Sequence, residues 1–327
     1  MEGKRGVTLV VAAAIAAALA VVAPAGACDG AWTLLDPAPT SAGLNAVAWG
    51  RGLFVAVGEG GAVLTSADGT SWVARPSGTS STLYGVACGP SGFVAVGADG
   101  ATVASPDGLT WTAAELPDAP PLLGVAWACS RFVAVGPGDR LFESGDGASW
   151  DAIPLDLGPE PANLEGVACG AGRFAVVGSV GDGVAIVASP DGLAWSRVGG
   201  GGRDWLKAVV WTGAAFVAVG GFNYAATGAM AMTSADGVQW DAATYLPNVE
   251  LESVAASPGE VIAVGGGEVH ASPDGKEWTL RWSGSANLFG VAVGAGRVVA
   301  VGMHGAVVVG ACAPRPARRH LRPSGPR

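Results

Sequence analysis

Short apolar segments, each closed by a glycine-rich turn, recur along the whole chain. In one stretch, residues 44–49, 53–57 and 62–65 are such segments, and Asp68-Gly69 leads into a fourth that begins at Trp72. Short runs of Val, Ala and aromatic residues bounded by Gly are typical of β-strands. An Asp-Gly pair between two runs favours a tight hairpin, because Gly accepts positive φ. The pattern therefore predicts units of four antiparallel strands.

The turn before each fourth strand carries a fixed motif, Ser-x-Asp-Gly-x-x-Trp. Successive Trp residues of its six copies are 39, 39, 45, 45 and 38 positions apart. Four short strands per unit of about 40 residues are typical of a propeller blade. The two longer spacings predict extended loops between second and third strands, at residues 179–184 and 221–228. The copies occupy residues 66–72, 105–111, 144–150, 189–195, 234–240 and 272–278.

The two ends of the repeat region each hold part of one further unit. Residues 288–293, 298–301 and 306–309 provide three strands with no motif after them, whereas Asp29-Gly30-Ala31-Trp32 lies near the start of the chain. Trp32 precedes Trp72 by 40 positions, one repeat. We therefore predict an all-β, seven-bladed β-propeller of four-stranded antiparallel blades, in which the N-terminal strand closes the last blade and removes its open edge.

The cysteines agree with this closure. Cys28 precedes the N-terminal strand and Cys312 follows the last one. In an exported protein, a disulfide between them would join the two halves of the shared blade. Cys88 and Cys169 occupy a first-strand position held elsewhere by Trp, and we expect buried thiols there. Cys129 lies in a hairpin, and a Cys88–Cys129 bond is the alternative.

The chain ends differ from the repeats in composition. Lys4 and Arg5 precede an apolar run over residues 7–22 and then an Ala-Gly-Ala sequence, which is typical of a secretory signal peptide cleaved after residue 27. We expect export to the periplasm or the extracellular space, with no transmembrane span after cleavage. A lipoprotein acylated at Cys28 is the alternative. The predicted organisation is a signal peptide over residues 1–27, a propeller over 28–313 and a disordered basic tail over 314–327.

Charge and composition narrow the class of function. The chain has a net charge of −9, and without the leader and tail it keeps 11 basic and 26 acidic residues, which gives −15. Nucleic-acid binding needs clustered Lys and Arg, so we expect no nucleic-acid partner. The three His residues make no metal-ligand spacing with the cysteines, and the Gly residues mark turns rather than a phosphate loop. We predict no metal and no cofactor.

The Ser-x-Asp-Gly-x-x-Trp turns resemble the Asp-box, or BNR, repeats of sialidase-type propellers. Their combination with Gly-Val-Ala and Phe-Val-Ala-Val-Gly strands is similar to repeat proteins related to the photosystem II stability and assembly factor. The resemblance covers residues 29–310, and it implies that each Asp box is a structural turn on the face away from the usual binding site. It therefore implies a structural, noncatalytic role for Asp68, Asp107, Asp146, Asp191, Asp236 and Asp274.

The same resemblance argues against a sialidase-like active site. Such a site would need three Arg residues clamping a carboxylate, a Tyr nucleophile helped by Glu, and an acid Asp. The Phe/Tyr-Arg-Ile-Pro motif that precedes the first repeat in that family is absent. Arg51, Arg131, Arg173 and Arg297 fall in equivalent hairpins of different repeats, which indicates a turn position rather than a convergent clamp. We assign no catalytic residue.

Two groups of residues break the repeat and are candidates for ligand binding. The first is an aromatic patch near the two longer loops, formed by Trp205, Phe222, Tyr224 and Tyr245 beside Arg203, with Tyr245 expected at the start of the connection to the next blade. Exposed aromatic residues with Arg are typical of interfaces and sugar platforms. The alternative is that these aromatic side chains pack against their own loops.

The second group lies where each first strand begins. One position after a repeated Leu varies around the ring, and in adjacent blades it holds Glu165, Lys207 and Glu252, which are expected at the mouth of the central channel. A plain ion pair is the alternative to a binding role. The full set is Asn45, Tyr84, Leu123, Glu165, Lys207, Glu252 and Phe289.

Taken together, the pattern favours a noncatalytic, exported propeller that binds a protein or a glycan on its loop face, as a monomer. A sialidase-like glycoside hydrolase and an assembly or structural scaffold factor are the alternatives. The hydrolase predicts Arg and carboxylate side chains that converge on one face. The binding module predicts an exposed aromatic patch without such a cluster.

Overall fold

Seven four-stranded antiparallel sheets follow one another around a ring. The computed structural model describes residues 28–160, 162–181, 183–201, 204–222, 228–247 and 249–312. The strands in chain order are β1 Trp32–Leu34, β2 Leu44–Gly50, β3 Leu53–Gly58, β4 Val63–Ser66, β5 Val73–Arg75, β6 Leu83–Gly89, β7 Gly92–Gly97, β8 Ala101–Ser105, β9 Thr112–Glu115, β10 Gly124–Ala128, β11 Arg131–Val135, β12 Arg140–Ser144, β13 Asp151–Pro154, β14 Ala162–Gly170, β15 Arg173–Val180, β16 Gly183–Ser189, β17 Ser196–Gly201, β18 Asp204–Trp211, β19 Phe216–Phe222, β20 Gly228–Ser234, β21 Thr244–Pro247, β22 Ser253–Ser257, β23 Glu260–Gly265, β24 Glu268–Ser272, β25 Thr279–Ser283, β26 Leu288–Gly294, β27 Arg297–Gly302 and β28 Val307–Ala311.

Blades 1 to 6 each take four consecutive strands, from β2–β5 to β22–β25, and blade 7 has the order β1-β28-β27-β26. Three-residue 3-10 turns follow the second strands of blades 1, 2 and 7, at Glu59–Gly61, Ala98–Gly100 and Met303–Gly305. No helix in the described part of the chain is long and apolar enough to span a membrane. The predicted leader and basic tail lie outside the described residues.

The N-terminal strand closes the ring, as the sequence predicted. Trp32 faces Gly310 and Leu34 faces Val308 in the antiparallel ladder between β1 and β28. A Cβ atom on Gly310 would lie 2.6 Å from the Trp32 ring, so glycine lets the indole lie flat on the strand. This pairing satisfies the backbone groups of β28, which would otherwise form an open sheet edge.

The hydrophobic core lies between the blades rather than within one blade. Each cluster of buried side chains combines residues of two neighbouring sheets. The junction of blades 1 and 7 packs Phe54 and Leu64 against Val299 and Val307, all nearly inaccessible to solvent. Each sheet needs a neighbouring blade to cover each of its apolar faces. A closed ring supplies such a neighbour on both sides of every blade.

In blade 4 the added residues lie more in strands than in a loop, which corrects the sequence prediction, whereas residues 223–227 of blade 5 lie outside the described residues. In blade 4, Ser179 and Val180 lie in β15 and pair with Asn163 and Ala162. In blade 5, Gly221 lies in β19 and pairs with Trp205. These described residues therefore continue the ladder, because paired backbone groups are satisfied there.

One disulfide lies within blade 7 and another joins blades 3 and 4, and the second differs from the sequence prediction. Cys28 is bonded to Cys312, so the residue ahead of β1 is joined covalently to the end of β28, its partner strand in blade 7. Cys129 is bonded to Cys169, whereas Cys88 is the free cysteine of the described residues. The expectation of a free, buried thiol at Cys169 is therefore wrong. The hairpin of blade 3 brings Cys129 within 5.4 Å, Cα to Cα, of the first strand of blade 4.

Candidate ligand-binding site at the channel mouth

The antiparallel order of the blades separates two faces of the ring. The connections from fourth strands to the next first strands, and from second to third strands, lie at one end; we call it the channel-mouth face. The hairpins between first and second strands, and the Ser-x-Asp-Gly-x-x-Trp turns, lie at the other end, the turn face.

A β-bulge begins the innermost strand of five blades. The register of the first ladder shifts by one residue immediately after a buried Leu, so one residue has no ladder partner. A bulge of this kind changes the direction of a side chain. The unpaired residues are the variable ring positions Asn45, Tyr84, Glu165, Lys207 and Phe289.

The same ring position in blades 3 and 6 precedes the first strand. The N–H groups of Leu123 and Glu252 donate to the carbonyls of Val135 and Val264, each at 2.8 Å. All seven ring residues line one cavity of about 410 Å3, together with the small residues that follow them. The fold thus brings together the whole second candidate group from the sequence.

The seven ring residues are distributed asymmetrically by chemical type around the cavity. Blades 2, 3 and 7 contribute Tyr84, Leu123 and Phe289, whereas blades 4, 5 and 6 contribute charged side chains. Asn45 donates its side-chain N–H to the carbonyl of Leu83, 2.8 Å away in the next blade. One arc of the cavity is therefore apolar and aromatic, and the opposite arc is ionic.

Glu165 and Lys207 form an ion pair across blades 4 and 5. The Lys207 Nζ atom lies 2.9 Å from Oε2 of Glu165 and 3.2 Å from Oε1, and both side chains are mostly buried. Asn163 donates a further hydrogen bond of 3.0 Å to Oε1. Burial opposes the charge of Lys207, but the attraction of Glu165, Glu252 and Glu250 outweighs it and raises the Lys207 pKa. Lys207 therefore remains protonated at neutral pH.

Glu252 is the carboxylate of this arc that the Lys207 ion pair does not neutralise. Burial raises its pKa, and the charges of Glu165 and Glu250 add to this effect, while Lys207 opposes it. A raised carboxyl pKa means that the surroundings disfavour the anion. A positive group entering the cavity would relieve that unfavourable interaction.

A second cavity adjoins the ionic arc between blades 4 and 5. It has a volume of about 220 Å3 and shares Glu165 and Lys207 with the channel mouth. Trp205, Asp204 and Ser179 line it as well. Trp205, from the first candidate group, thus shares a cavity with Glu165 of the neighbouring blade, a neighbourhood that the sequence did not predict.

The rest of the aromatic patch is only partly described. Arg203, Tyr224 and the side chain of Phe222 lie outside the described residues. Tyr245 lies in the fourth strand of blade 5 rather than in a connection, which corrects the sequence prediction, and its side chain is 56% exposed. Its hydroxyl donates to the Asp204 carboxylate at 3.2 Å, so Tyr245 contacts the first residue of β18, which is adjacent to Trp205.

The six motif aspartates lie on the turn face, away from the channel mouth. In blade 2, Oδ1 of Asp107 accepts the backbone N–H groups of Leu109 and Thr110 at 2.8 and 2.9 Å. Ser105 Oγ accepts the N–H of Gly108, and Trp111 Nε1 donates to the Gly108 carbonyl. Equivalent bonds recur in the other five copies.

These hydrogen bonds join each aspartate to the turn in which it lies. Backbone N–H donors hold the pKa of Asp68, Asp107, Asp146, Asp191 and Asp236 below the usual range. Each carboxylate is therefore engaged by its own turn, which is typical of a structural element.

The hairpin arginines also lie on the turn face. Arg51 is in the β2–β3 turn, and Arg131, Arg173 and Arg297 begin the second strands of their blades. Arg131 pairs with Glu143 of its own blade at 2.7 Å. None of the four lines the channel mouth. In the described ranges, no group of three His, Cys, Asp or Glu residues is arranged to hold a metal ion.

Comparison with known proteins identifies the fold. No family model matches the chain, and no curated protein matches it in sequence. Among solved structures, the chain is similar to YCF48 bound to a D1 peptide, with 16% identity, a TM-score of 0.65, and coverage of 88% of this chain and 97% of that one. It is also similar to virginiamycin B lyase from Staphylococcus aureus, with 9% identity, a TM-score of 0.69, and coverage of 86% and 99%.

A third similar structure is the WD40 β-propeller domain of Doa1, with 11% identity, a TM-score of 0.63, and coverage of 85% and 95%. At these identities the likeness concerns the fold alone. The chain is a seven-bladed β-propeller with an asymmetric cavity at its channel mouth.

Proposed function

We propose that this protein is an exported, noncatalytic binding module that takes a protein ligand at the channel-mouth face. One observation carries the proposal: seven blades built to a common plan present side chains of six different types, none of them glycine, to one cavity. A position that served only the fold could hold the same residue in every blade, as the position of the buried Leu before it does. Convergent, varied side chains in a cavity are typical of recognition.

The chemistry of the ring favours an extended peptide segment over a carbohydrate. The apolar arc of Tyr84, Leu123 and Phe289 suits an apolar side chain, and the arc around Glu252 suits a basic one. The neighbouring fold YCF48 has been solved with a peptide, which supports a ligand of this class. The glycan ligand is the alternative that the experiment below separates.

Export is supported by the two disulfides, which persist in oxidising compartments. Hydrolysis of a sialidase-like substrate gains no support, because the four hairpin arginines lie at the other end of the ring. Among the described residues, those that line the channel mouth include one lysine, which already pairs with Glu165, and no arginine.

The proposal is tested by panning a random peptide display library on purified residues 28–327, in parallel with a glycan array. We expect selected peptides that carry Lys or Arg next to an apolar residue. Their affinity should fall about tenfold or more in Glu252→Gln and in Phe289→Ala, which corresponds to at least about 1.4 kcal/mol. Leu193→Ala removes an equally apolar side chain, 71% exposed on the turn face, and should leave the affinity unchanged.

Thermal unfolding of each variant establishes that the blades remain folded. Glycan binding without peptide binding, or peptides that bind Glu252→Gln and Leu193→Ala equally well, would contradict the proposal.

A further inference from the structure

Cys28, which precedes the N-terminal strand, is held on the turn face by the buried carboxylate of Glu260. The backbone N–H of Cys28 donates to Oε1 of Glu260, which begins the second strand of blade 6. Cys28 has no exposed surface, and Glu260 is only 5% exposed. The Cys28 sulfur also lies 3.5 Å from Oγ of Ser257. The N-terminal segment thus rests on blade 6 while its strand completes blade 7.

The position of Glu260 is unusual within the repeat. It pairs with the last residue of the first strand, a place that holds Arg131, Arg173 and Arg297 in blades 3, 4 and 7. Only the blade that meets Cys28 has an acid among these four.

One cation near Glu260 is already accounted for. Nη2 of Arg281 lies 3.3 Å from Oε2 of Glu260, whereas Oε1 receives the Cys28 nitrogen. A buried carboxylate is most stable when each oxygen receives a charge-assisted hydrogen bond. A peptide N–H at Cys28 would be a neutral donor, whereas an α-ammonium at the same atom would supply the second charge.

We propose that Cys28 is the N-terminal residue of the mature protein and that Glu260 is the buried acceptor for its α-ammonium group. Hydrolysis of the Ala27–Cys28 peptide bond by a leader endopeptidase consumes one water, leaves the carboxylate on Ala27 and frees the amine of Cys28, which takes up a proton. The inference rests on the export proposed above and is independent of the ligand. It also opposes acylation of Cys28, because the sulfur is engaged with Cys312.

Removal of the leader would then strengthen ring closure. The ammonium–Glu260 contact fastens the start of β1 to blade 6, and the disulfide fastens the same residue to the end of β28. A chain that retains its leader would lack the first of these interactions.

The first test identifies the N-terminus. The full chain, exported from a bacterial host with its own leader, is analysed by N-terminal sequencing and intact mass. We expect a chain that begins at Cys28, with an unmodified amine. Any other first residue, or an added acyl mass, would overturn the proposal.

The second test measures the pairing itself. The amine of the mature chain is 13C-methylated, which preserves its charge, and is titrated by NMR. Pairing with Glu260 should raise its pKa above the ordinary range of about 7.7–8.0, and Glu260→Gln should return it to that range. Glu143→Gln removes another buried carboxylate, far from Cys28, and should leave the titration unchanged. An ordinary pKa in the wild-type protein would overturn the proposal even if Glu260→Gln failed to fold.

The stability effect has a defined sign. A raised folded-state pKa contributes stability that is fully present below the unfolded pKa of about 8 and is lost as pH rises through the folded value. A chain with Gly-Ser added before Cys28 should therefore unfold at lower urea than the mature chain at pH 6, and the difference should shrink above pH 8. Ligand binding at the opposite face should be equal in both chains, so failure here is distinguishable from failure of the proposed function.

Discussion

At the residue scale, the six repeated turns use the same side chains for the same bonds. Ser accepts the N–H of Gly, Asp accepts two further N–H groups, and Trp donates to the Gly carbonyl. Gly69 has φ of +75°, and the corresponding glycines adopt similar positive values, which explains why Gly is kept there. These bonds are local, so the motif alone predicts them.

Because these aspartates carry a charge in the folded protein, the free energy of unfolding should depend on pH in the acidic range. Because the folded-state pKa of Asp107 is depressed, its contribution is present above the unfolded pKa of about 3.9 and is lost as pH falls towards the folded value. Asp107→Asn keeps an acceptor oxygen but removes the charge. We expect the variant to have a lower urea midpoint than wild type at pH 7. Its urea midpoint should also change less between pH 7 and pH 2 than that of wild type. Asp99→Asn, at an exposed loop carboxylate, is the control and should leave both values near wild type.

At the element scale, the first strands are fitted together by glycine. In several blades a Gly directly follows the ring residue, and it lies against the first strand of the next blade. A Cβ atom on Gly290 would lie 2.8 Å from Cα of Ala46, where blade 7 meets blade 1. The bulge and this glycine together let a large side chain enter the channel mouth while neighbouring backbones remain close.

Gly290→Ala should therefore destabilise the ring, because backbone atoms would have to move apart. We expect a loss of about 1–3 kcal/mol in the free energy of unfolding, the usual cost of overpacking, measured by urea denaturation. Gly145→Ala is a matched control: nothing lies within 4 Å of its added Cβ, and the first repeat has Ala67 at the same motif position. Equal losses in the two variants would contradict the proposed role of the glycine contact.

At the scale of the whole molecule, closure depends on the two chain ends. The Cys28–Cys312 disulfide spans 284 positions, whereas Cys129–Cys169 spans 40. A longer closed loop removes more entropy from the unfolded chain, and the chain-entropy relation gives about 5.6 kcal/mol for the first bond and about 3.9 kcal/mol for the second. The first bond also holds the strand on which ring closure depends.

Replacing Cys28 and Cys312 together with Ala should thus lower the free energy of unfolding more than replacing Cys129 and Cys169 together. Urea denaturation of the oxidised proteins at one pH measures both losses. Cys88→Ala changes a cysteine outside both bonds and is the reference for the substitution itself. A larger loss for the Cys129–Cys169 pair would contradict the dominant role of terminal closure.

The sequence by itself determined the fold, because its signals are local and repeated. Hairpin motifs at regular spacing specify four-stranded units, and the incomplete units at the two ends specify closure through Trp32. The residues of the channel mouth were also identifiable, because a variable position, which holds Glu165, Lys207 and Glu252 in adjacent blades, directly follows a Leu that is repeated in every blade.

Only the tertiary structure decided which residues meet between blades. The Cys129–Cys169 bond, the shared cavity of Trp205 and Glu165, and the contact of Cys28 with Glu260 join residues from different units. Such contacts depend on how adjacent sheets twist and approach, and no local pattern records that geometry. The extension of β15 and β19 is similar, since the partner strand determines whether added residues continue a ladder or form a loop.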